Sequence, residues 1–410
     1  MTKATGTKAI GRRAFGVGSV LAASMIGSRV RAASPGVKIG LLSDFSGVYA
    51  DSSGRGSLDA IQMTVEEFGG QLLGNPVQVV FGDHQNKADV GATIARRWLD
   101  REDVDVIVDV NSSAVAFAVK DLVQEKNKLA LFVGAGSSDI TGKYCSPNTV
   151  QTLFDTSALV RSTVKAMNKL HGPKSWFFLT GDFAFGHALE KDARALIEAT
   201  GGKVVGRVLV PLNTTDFSSF LLQAQSSKAD LIGVAVAGHD LARAVTQGVE
   251  FGLTPKQQFV ASVVTEHDIY SIGPKAAEAM TFSSPFYWDL DDKTRDWSKR
   301  FIARTKKYPT MTQAGNASAV LHYLKAVRAA ETKEAGAVMA KMKEMPVDDF
   351  MTKSAPLRID GRVEREMHIF RGKGPAETKG GWDIYKYIST NSGADAVRPL
   401  NEGGCPLVRS

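Results

Sequence analysis

Short runs of Val, Ile, Leu and Ala recur from residue 37 onward, and each is followed by a stretch whose apolar positions return every three or four residues. A brief apolar run without polar alternation is the pattern of a strand covered on both faces. The longer spacing is that of a helix packed along one side. On this reading strands are predicted at 37–42, 77–81, 104–110 and 129–133, with helices at 57–68, 88–101 and 115–126 between them. The order then starts again. Helices at 158–170, 189–199, 217–225 and 241–251 alternate with strands at 175–179, 203–210, 231–237, 259–264 and 280–287. Alternation of this kind predicts parallel sheets with right-handed crossovers, an α/β fold. The two series share no repeated sequence, so the repetition is architectural.

After Trp288 the rhythm changes. Helices are predicted at 291–308, 313–331 and 334–343, then short strand-like pieces at 357–359, 367–370 and 382–387, with Asp360 and Gly361 as a turn signal. Residues 390–410 show no period and are expected to be irregular. A chain of 410 residues is long for a single core and suggests two domains.

Charge alters the picture only at the N-terminus. The net charge is +7, from 50 basic and 43 acidic residues. The first 33 residues hold Lys3, Lys8, Arg12, Arg13, Arg29 and Arg31 and no acid. Without those six the body carries 44 basic against 43 acidic residues, a net of +1. Such a body has no general field for a phosphate backbone, and nucleic acid is not an expected partner. The segment itself reads as an export signal: Arg12-Arg13-Ala14-Phe15, an apolar run at 17–26 rich in Gly, Ala and Ser, then Val30-Arg31-Ala32 ahead of a cleavage point near Ala32 or Ala33. The paired arginines resemble a twin-arginine signal; a general secretory signal is the alternative. The run is too short to span a bilayer. The expected location is the periplasm.

In an exported chain the two cysteines, Cys145 and Cys405, are candidates for one disulfide, the alternative being two free thiols. The seven histidines are scattered without zinc-ligand spacing and are read as surface or hinge residues, so no metal site is expected. The sequence holds no G-x-S-x-G, H-E-x-x-H, G-x-x-x-x-G-K-[ST] or C-x-x-C. No catalytic residue is singled out, and no cofactor. Gly134-Ala135-Gly136 lacks the third glycine of a dinucleotide loop and follows the fourth strand rather than the first.

What remains are small polar residues where strands end, the place where open α/β sheets bind ligands. Ser43 to Tyr49 follow the first strand, Asn111, Ser112 and Ser113 the third, and Ala135, Gly136 and Ser137 the fourth. Hydroxyls and free amides at a helix start suit a carboxylate, although serines there also serve simply as N-caps. In the second series Phe183 and Phe185 offer an apolar wall, and His239, Asp240 or Glu266 a partner for a cation or hydroxyl. Tyr49, Gln313, Tyr287 and Trp288 are further candidates, whereas 83–86 reads as a capped turn with no direct role.

At these residues the chain resembles a known family. Val37-Lys38-Ile39-Gly40-Leu41-Leu42-Ser43-Asp44-Phe45-Ser46-Gly47 is similar to the first strand and ligand loop of the leucine/isoleucine/valine-type periplasmic receptors of ABC transporters. Asp83-His84-Gln85-Asn86-Lys87, Asp182-Phe183-Ala184-Phe185-Gly186 and Trp382-Asp383-Ile384-Tyr385-Lys386 extend the likeness over roughly 36–390. The resemblance implies a type I periplasmic binding fold: two doubly wound lobes joined by three crossover strands, near Asp155, Pro285 and Phe350. It implies an N-terminal lobe of 34–155 and 288–349 and a C-terminal lobe of 156–287 and 350–390; beyond it lies a tail of 391–410 that Cys405, if paired with Cys145, would tie to the N-terminal lobe. It further implies a monomeric receptor without enzymatic activity. Loops at Ser112, Ser113 and 135–137 would hold a ligand carboxylate, Phe183 and Phe185 would supply aromatic contact, and an acid near Glu266 would meet an amine. Thr265-Glu266-His267-Asp268 departs from the family's usual glycine-rich acidic turn. The expected ligand is therefore a small carboxylate (amino acid, amide, aromatic or aliphatic acid), passed to a membrane permease. A ligand-sensing module and a secreted hydrolase on a similar sheet are the competing readings.

Overall fold

The computed structural model describes residues 36–254 and 256–408. The predicted export segment lies outside them. The described chain begins with β1 (Lys38–Ser43), α1 (Gly54–Glu67), a small hairpin of β2 (Gln71–Leu72) and β3 (Asn75–Pro76), β4 (Gln78–Asp83), α2 (Ala88–Arg101), β5 (Val106–Asp109), α3 (Ser113–Glu125), β6 (Leu129–Phe132) and β7 (Thr149–Gln151). The strands other than the hairpin form one parallel sheet in the order β4-β1-β5-β6-β7. Strands β1, β5 and β6 sit inside it, which is why their apolar runs are buried almost without interruption.

A second sheet follows. Its elements are α4 (Thr156–His171), β8 (Ser175–Gly181), α5 (Ala184–Ala199), β9 (Lys203–Val210), α6 (Ser218–Ser227), β10 (Leu231–Ala235), α7 (His239–Glu250), β11 (Gln258–Ala261), α8 (Glu266–Ile272), α9 (Pro274–Ala277) and β12 (Met280–Ser284). The chain next lays α10 (Asp292–Thr305), α11 (Met311–Ala330) and α12 (Ala335–Glu344) against the first sheet: Trp297, Phe301 and Tyr323 share one core with Leu41, Val106 and Leu131. It returns through β13 (Met367–Gly372) and β14 (Tyr385–Asn391) to the second sheet, whose order is β14-β13-β12-β11-β10-β8-β9. These last two strands run antiparallel to their neighbours. They arrive from the other lobe and not through a βαβ crossover, so the handedness rule for parallel neighbours does not bind them. Each sheet carries helices on both faces, with separate apolar cores on either side.

The predicted crossover strands are not regular strands. The three connections run between β7 and α4, β12 and α10, and α12 and β13, and the described residues there hold only isolated bridges, Gln151 with Arg362, Val347 with Ala355 and Leu357 with Val363. Two buried arginines from the third connection grip the first. Arg362 donates through Nε to the Asp155 carboxylate (2.6 Å) and through Nη1 to the Gln151 carbonyl (3.1 Å). Arg365 donates through Nε to the Thr152 carbonyl and through Nη2 to Ser318 Oγ. Asp155 also caps α4 by accepting from Ala158 N. One carboxylate thus fixes a helix start and the join between lobes.

Three other expectations change, and the expected disulfide is present. The piece at 357–359 makes one bridge, Leu357 to Val363, and no strand. The tail contains α13 (Gly393–Ala396) and a short 3-10 turn at Leu400–Glu402. Cys145 and Cys405 are bonded, and Arg398 donates to the Ser138 carbonyl beside them. Finally, His84, His322 and His368 are buried, not surface residues, because each ring finds a polar partner inside: Asn111, the Met342 carbonyl and Thr390.

Candidate functional site

The first lobe's contribution begins at the end of β5. Asp109 and Val110 both take left-handed backbone conformations, with φ of 78° and 49°. A β-branched residue pays sterically for that geometry, and such strain persists only where the surroundings over-determine it. Here they do. The buried Asp109 carboxylate accepts from Ser43 Oγ (2.7 Å) and from Ser53 Oγ. Burial nevertheless pushes that carboxyl above the usual range. The strained turn delivers Asn111, Ser112 and Ser113 to the start of α3.

Asn111 is held in one orientation. His84 Nδ1 accepts from the Asn86 amide (2.9 Å), so the neutral ring carries its hydrogen on Nε2 and donates to Asn111 Oδ1 (2.9 Å). Burial holds His84 below the ordinary imidazole range, in keeping with the neutral form. Asp44 N donates to the same Oδ1 (3.0 Å). The Asn111 Nδ2 group is left with no partner among the described residues, though buried. Ser112 is the N-cap of α3, yet its side chain makes no capping bond. Ser113 Oγ accepts from Ser137 N (3.0 Å), which leaves its own hydrogen free to donate.

These groups line a cavity of about 790 Å³, its mouth included, that also touches Tyr49, Asn86, Gly136, Phe154, Phe183 and Phe185. Phe183 and Phe185 come from the start of α5, with ring centroids 6.5 Å apart and planes 20° from parallel. Leu212, Val263 and Thr265 complete the second lobe's wall, and Thr312 reaches in from α11. The walls approach closely. A Cβ on Gly136 would sit 2.9 Å from Phe185 and 3.0 Å from Phe154. Gly238, at φ of 62°, would bring a Cβ within 2.6 Å of the Val48 carbonyl.

Several sequence candidates lie elsewhere. Glu266 is fully buried. Its Oε2 accepts from Met311 N (3.0 Å), capping α11 across the lobe boundary, and Oε1 has no partner among the described residues. Burial without a counter-ion pushes its carboxyl up to about 8. Gln313 closes the capping box at the start of α11 and donates through Nε2 to the Asp51 carbonyl (3.1 Å). His239 stands at the rim, 3.3 Å from the Asp51 carboxylate. Ala135 turns its carbonyl to Gln151 Nε2 (2.8 Å), away from the cavity. Ser137 caps a short 3-10 turn and lines a separate open groove with Lys120, Lys143 and Lys191. Asp240 accepts from Asn213 N and sits beside Arg243; Tyr287 and Trp288 donate to the Trp382 carbonyl, off the cavity.

Sequence reasoning missed His84, Asn86, Phe154, Leu212, Val263 and Thr312, and placed Thr265 in a rim loop without giving it a contact. Only Thr265 carried a local signal, the Thr-x-x-Asp capping box it forms with Asp268. His267, in the same rim loop, gained partners no local pattern gave: one ring nitrogen is 3.1 Å from the Asp51 carbonyl and the other 3.1 Å from that of Tyr308, with Trp382 beside its ring.

Two doubly wound lobes joined by three connections, with strand-end loops facing one cavity, define a type I periplasmic solute-binding protein. The chain belongs to the periplasmic binding protein family, whose profile matches residues 36–380. It is similar to a periplasmic binding protein of Burkholderia mallei, 42% identical, with a TM-score of 0.89 over 91% of this chain and 99% of that one. It is also similar to a branched chain amino acid ABC transporter periplasmic ligand-binding protein of Burkholderia xenovorans, 40% identical, with a TM-score of 0.82 over 90% and 99%. A curated relative, Leu/Ile/Val-binding protein homolog 6 of Brucella melitensis, is 24% identical over 277 residues, 66% of this chain and 69% of that protein. The family is one of extracytoplasmic solute receptors that serve ABC transporters. No helix among the described residues is long and apolar enough to cross a membrane.

Proposed function

We propose that the protein takes a small carboxylate-bearing solute into this cavity, closes over it as a monomer and presents it to a membrane ABC permease, with no chemical change to the solute. The observation that carries this reading is the unpartnered Asn111 Nδ2 beside the free hydroxyl of Ser112 at the start of α3. A 13-residue helix presents unbonded amides and a partial positive charge at its N-terminus. A carboxylate there would accept from those amides, from Ser112 and from Asn111 without a cationic side chain. The rest of the solute would lie against Phe154, Phe183 and Phe185.

The segment with Arg12 and Arg13 supports delivery to the periplasm by twin-arginine export. The related Burkholderia xenovorans protein, a branched chain amino acid ABC transporter ligand-binding protein, supports the carboxylate half of the proposal. A thermal-shift screen of small carboxylates against their uncharged amides and alcohols tests it. Stabilisation by one or more acids and not by the matched alcohols is expected. Equal stabilisation by acid and alcohol, or turnover of any solute, would contradict it.

A further inference from the structure

We propose that the solute carries no ammonium group: the cavity is built for a compact apolar monocarboxylate, aromatic or branched aliphatic, and discriminates against the corresponding α-amino acid. This rests on the carboxylate reading above and narrows it.

The first observation is the wall itself. Among the described residues that line the cavity there is no Asp, Glu, Lys, Arg or His. Its polar members away from α3 are neutral, namely Tyr49, Ser52, Asn86, Thr265 and Thr312. Hydroxyls and carbonyls can accept an ammonium's hydrogens but cannot cancel its charge. An unpaired cation in a closed, largely apolar cavity loses its hydration without a matching return. The carboxylate end differs, because the start of α3 supplies oriented amides and a favourable dipole there.

The second observation is independent of the first. Four acids near the lining loops each hold backbone or a neighbouring group, although Glu266 Oε1 has no partner among the described residues. Glu266 accepts from Met311 N and has no exposed surface. Asp268 accepts from Thr265 N and Thr265 Oγ1, both at 2.8 Å. Asp44 accepts from Gly47 N (2.6 Å) and Tyr49 N (3.2 Å). Asp240 accepts from Asn213 N (3.0 Å), with the Arg243 guanidinium 3.6 Å away. Each holds a loop or helix start in place, and none of the four lines the cavity. Phe154, Phe183, Phe185, Leu212 and Val263 instead offer the far end of the solute an apolar slot.

Matched pairs test the inference. Isothermal titration of the full chain would use leucine against 4-methylpentanoate and phenylalanine against 3-phenylpropanoate, with 4-methylpentan-1-ol and 3-phenylpropan-1-ol as uncharged controls. At least one amine-free acid is expected to bind about 100-fold or more tighter than its amino acid. An amino acid that binds as tightly as its amine-free partner overturns the inference while leaving the carboxylate reading in place. An alcohol that binds as tightly as its acid overturns the carboxylate reading, and with it the inference, as does binding of none of the six. A second variant reads the same claim as a gain. Thr312→Asp places a carboxylate on the wall in the first turn of α11, where the helix dipole favours an acid. It is expected to tighten leucine binding about 10-fold or more and to weaken 4-methylpentanoate. A folded Thr312→Asp chain whose preference does not move toward leucine counts against the proposal.

Discussion

The two walls of the cleft are built on opposite plans. The first lobe's wall is polar and tightly wired: Asp109, Ser43, His84 and Asp44 hold Asn111 and the start of α3 in place, and Asn111 Nδ2 and the Ser112 hydroxyl are left over for a ligand. The second lobe's wall is aromatic and aliphatic, and its buried acid, Glu266, is turned away to cap a helix of the first lobe. On the proposed function, one wall would recognise charge and the other shape. Polar recognition needs pre-set geometry, hence the strained Asp109–Val110 turn behind it, whereas an apolar slot needs only the right volume.

The contrast breaks first at Ser112. Because its hydroxyl makes no capping bond, Ser112→Leu should leave the melting temperature nearly unchanged while filling the space at the start of α3. Ligand affinity is expected to fall about 100-fold or more, read by titration calorimetry. A large loss of stability with binding intact would make Ser112 structural. Next is Gly136→Val. Its new side chain would press on Phe185 and Phe154, already 2.9 and 3.0 Å from a simple Cβ, and hold the walls apart. Affinity is expected to fall about 10- to 100-fold, with a more open molecule seen in X-ray scattering. Phe185→Ala should cost less, about 10-fold, and should do so for an apolar acid and its alcohol alike. A loss confined to the acid would give the second wall a part in charge recognition.

The smallest effect on binding is expected at Glu266, where the pH dependence of stability gives the readout. Burial raises this carboxyl from the ordinary range to about 8, so the folded state favours the protonated form. Its contribution is full below the unfolded value near 4.5 and is lost as pH rises through about 8. In Glu266→Gln that loss should flatten, by on the order of 5 kcal/mol across the interval, while ligand affinity changes about 2-fold or less. Abolished binding in this variant would return Glu266 to the ligand's first contacts.

The same contrast explains what the sequence made legible. Strands β1, β5 and β6 and the helices between them were readable because burial on both faces writes an unbroken apolar run. Strand β7 was not, since three residues ending in Gln151 leave no pattern. The start of α3 was readable as Asn-Ser-Ser after a strand, a local signal. Glu266 and His239 were drawn into the candidate site by their place after a strand, Glu266 also by the family resemblance, and Gln313 by its place near the presumed crossover. Their partners are Met311, 45 residues away, and Asp51, 262 and 188 residues away. Pairings that distant leave no trace in local spacing. For the same reason His84, 27 residues from Asn111, looked like part of an ordinary turn.

A crystal structure of the closed protein with 3-phenylpropanoate tests the account most directly. The expected complex has the carboxylate at the start of α3, within about 2.6–3.2 Å of Asn111 Nδ2 and the first helix amides, and the ring between Phe154 and the pair Phe183 and Phe185. A solute bound the other way round, with its ring at Ser112 and its carboxylate toward Thr265, would contradict it.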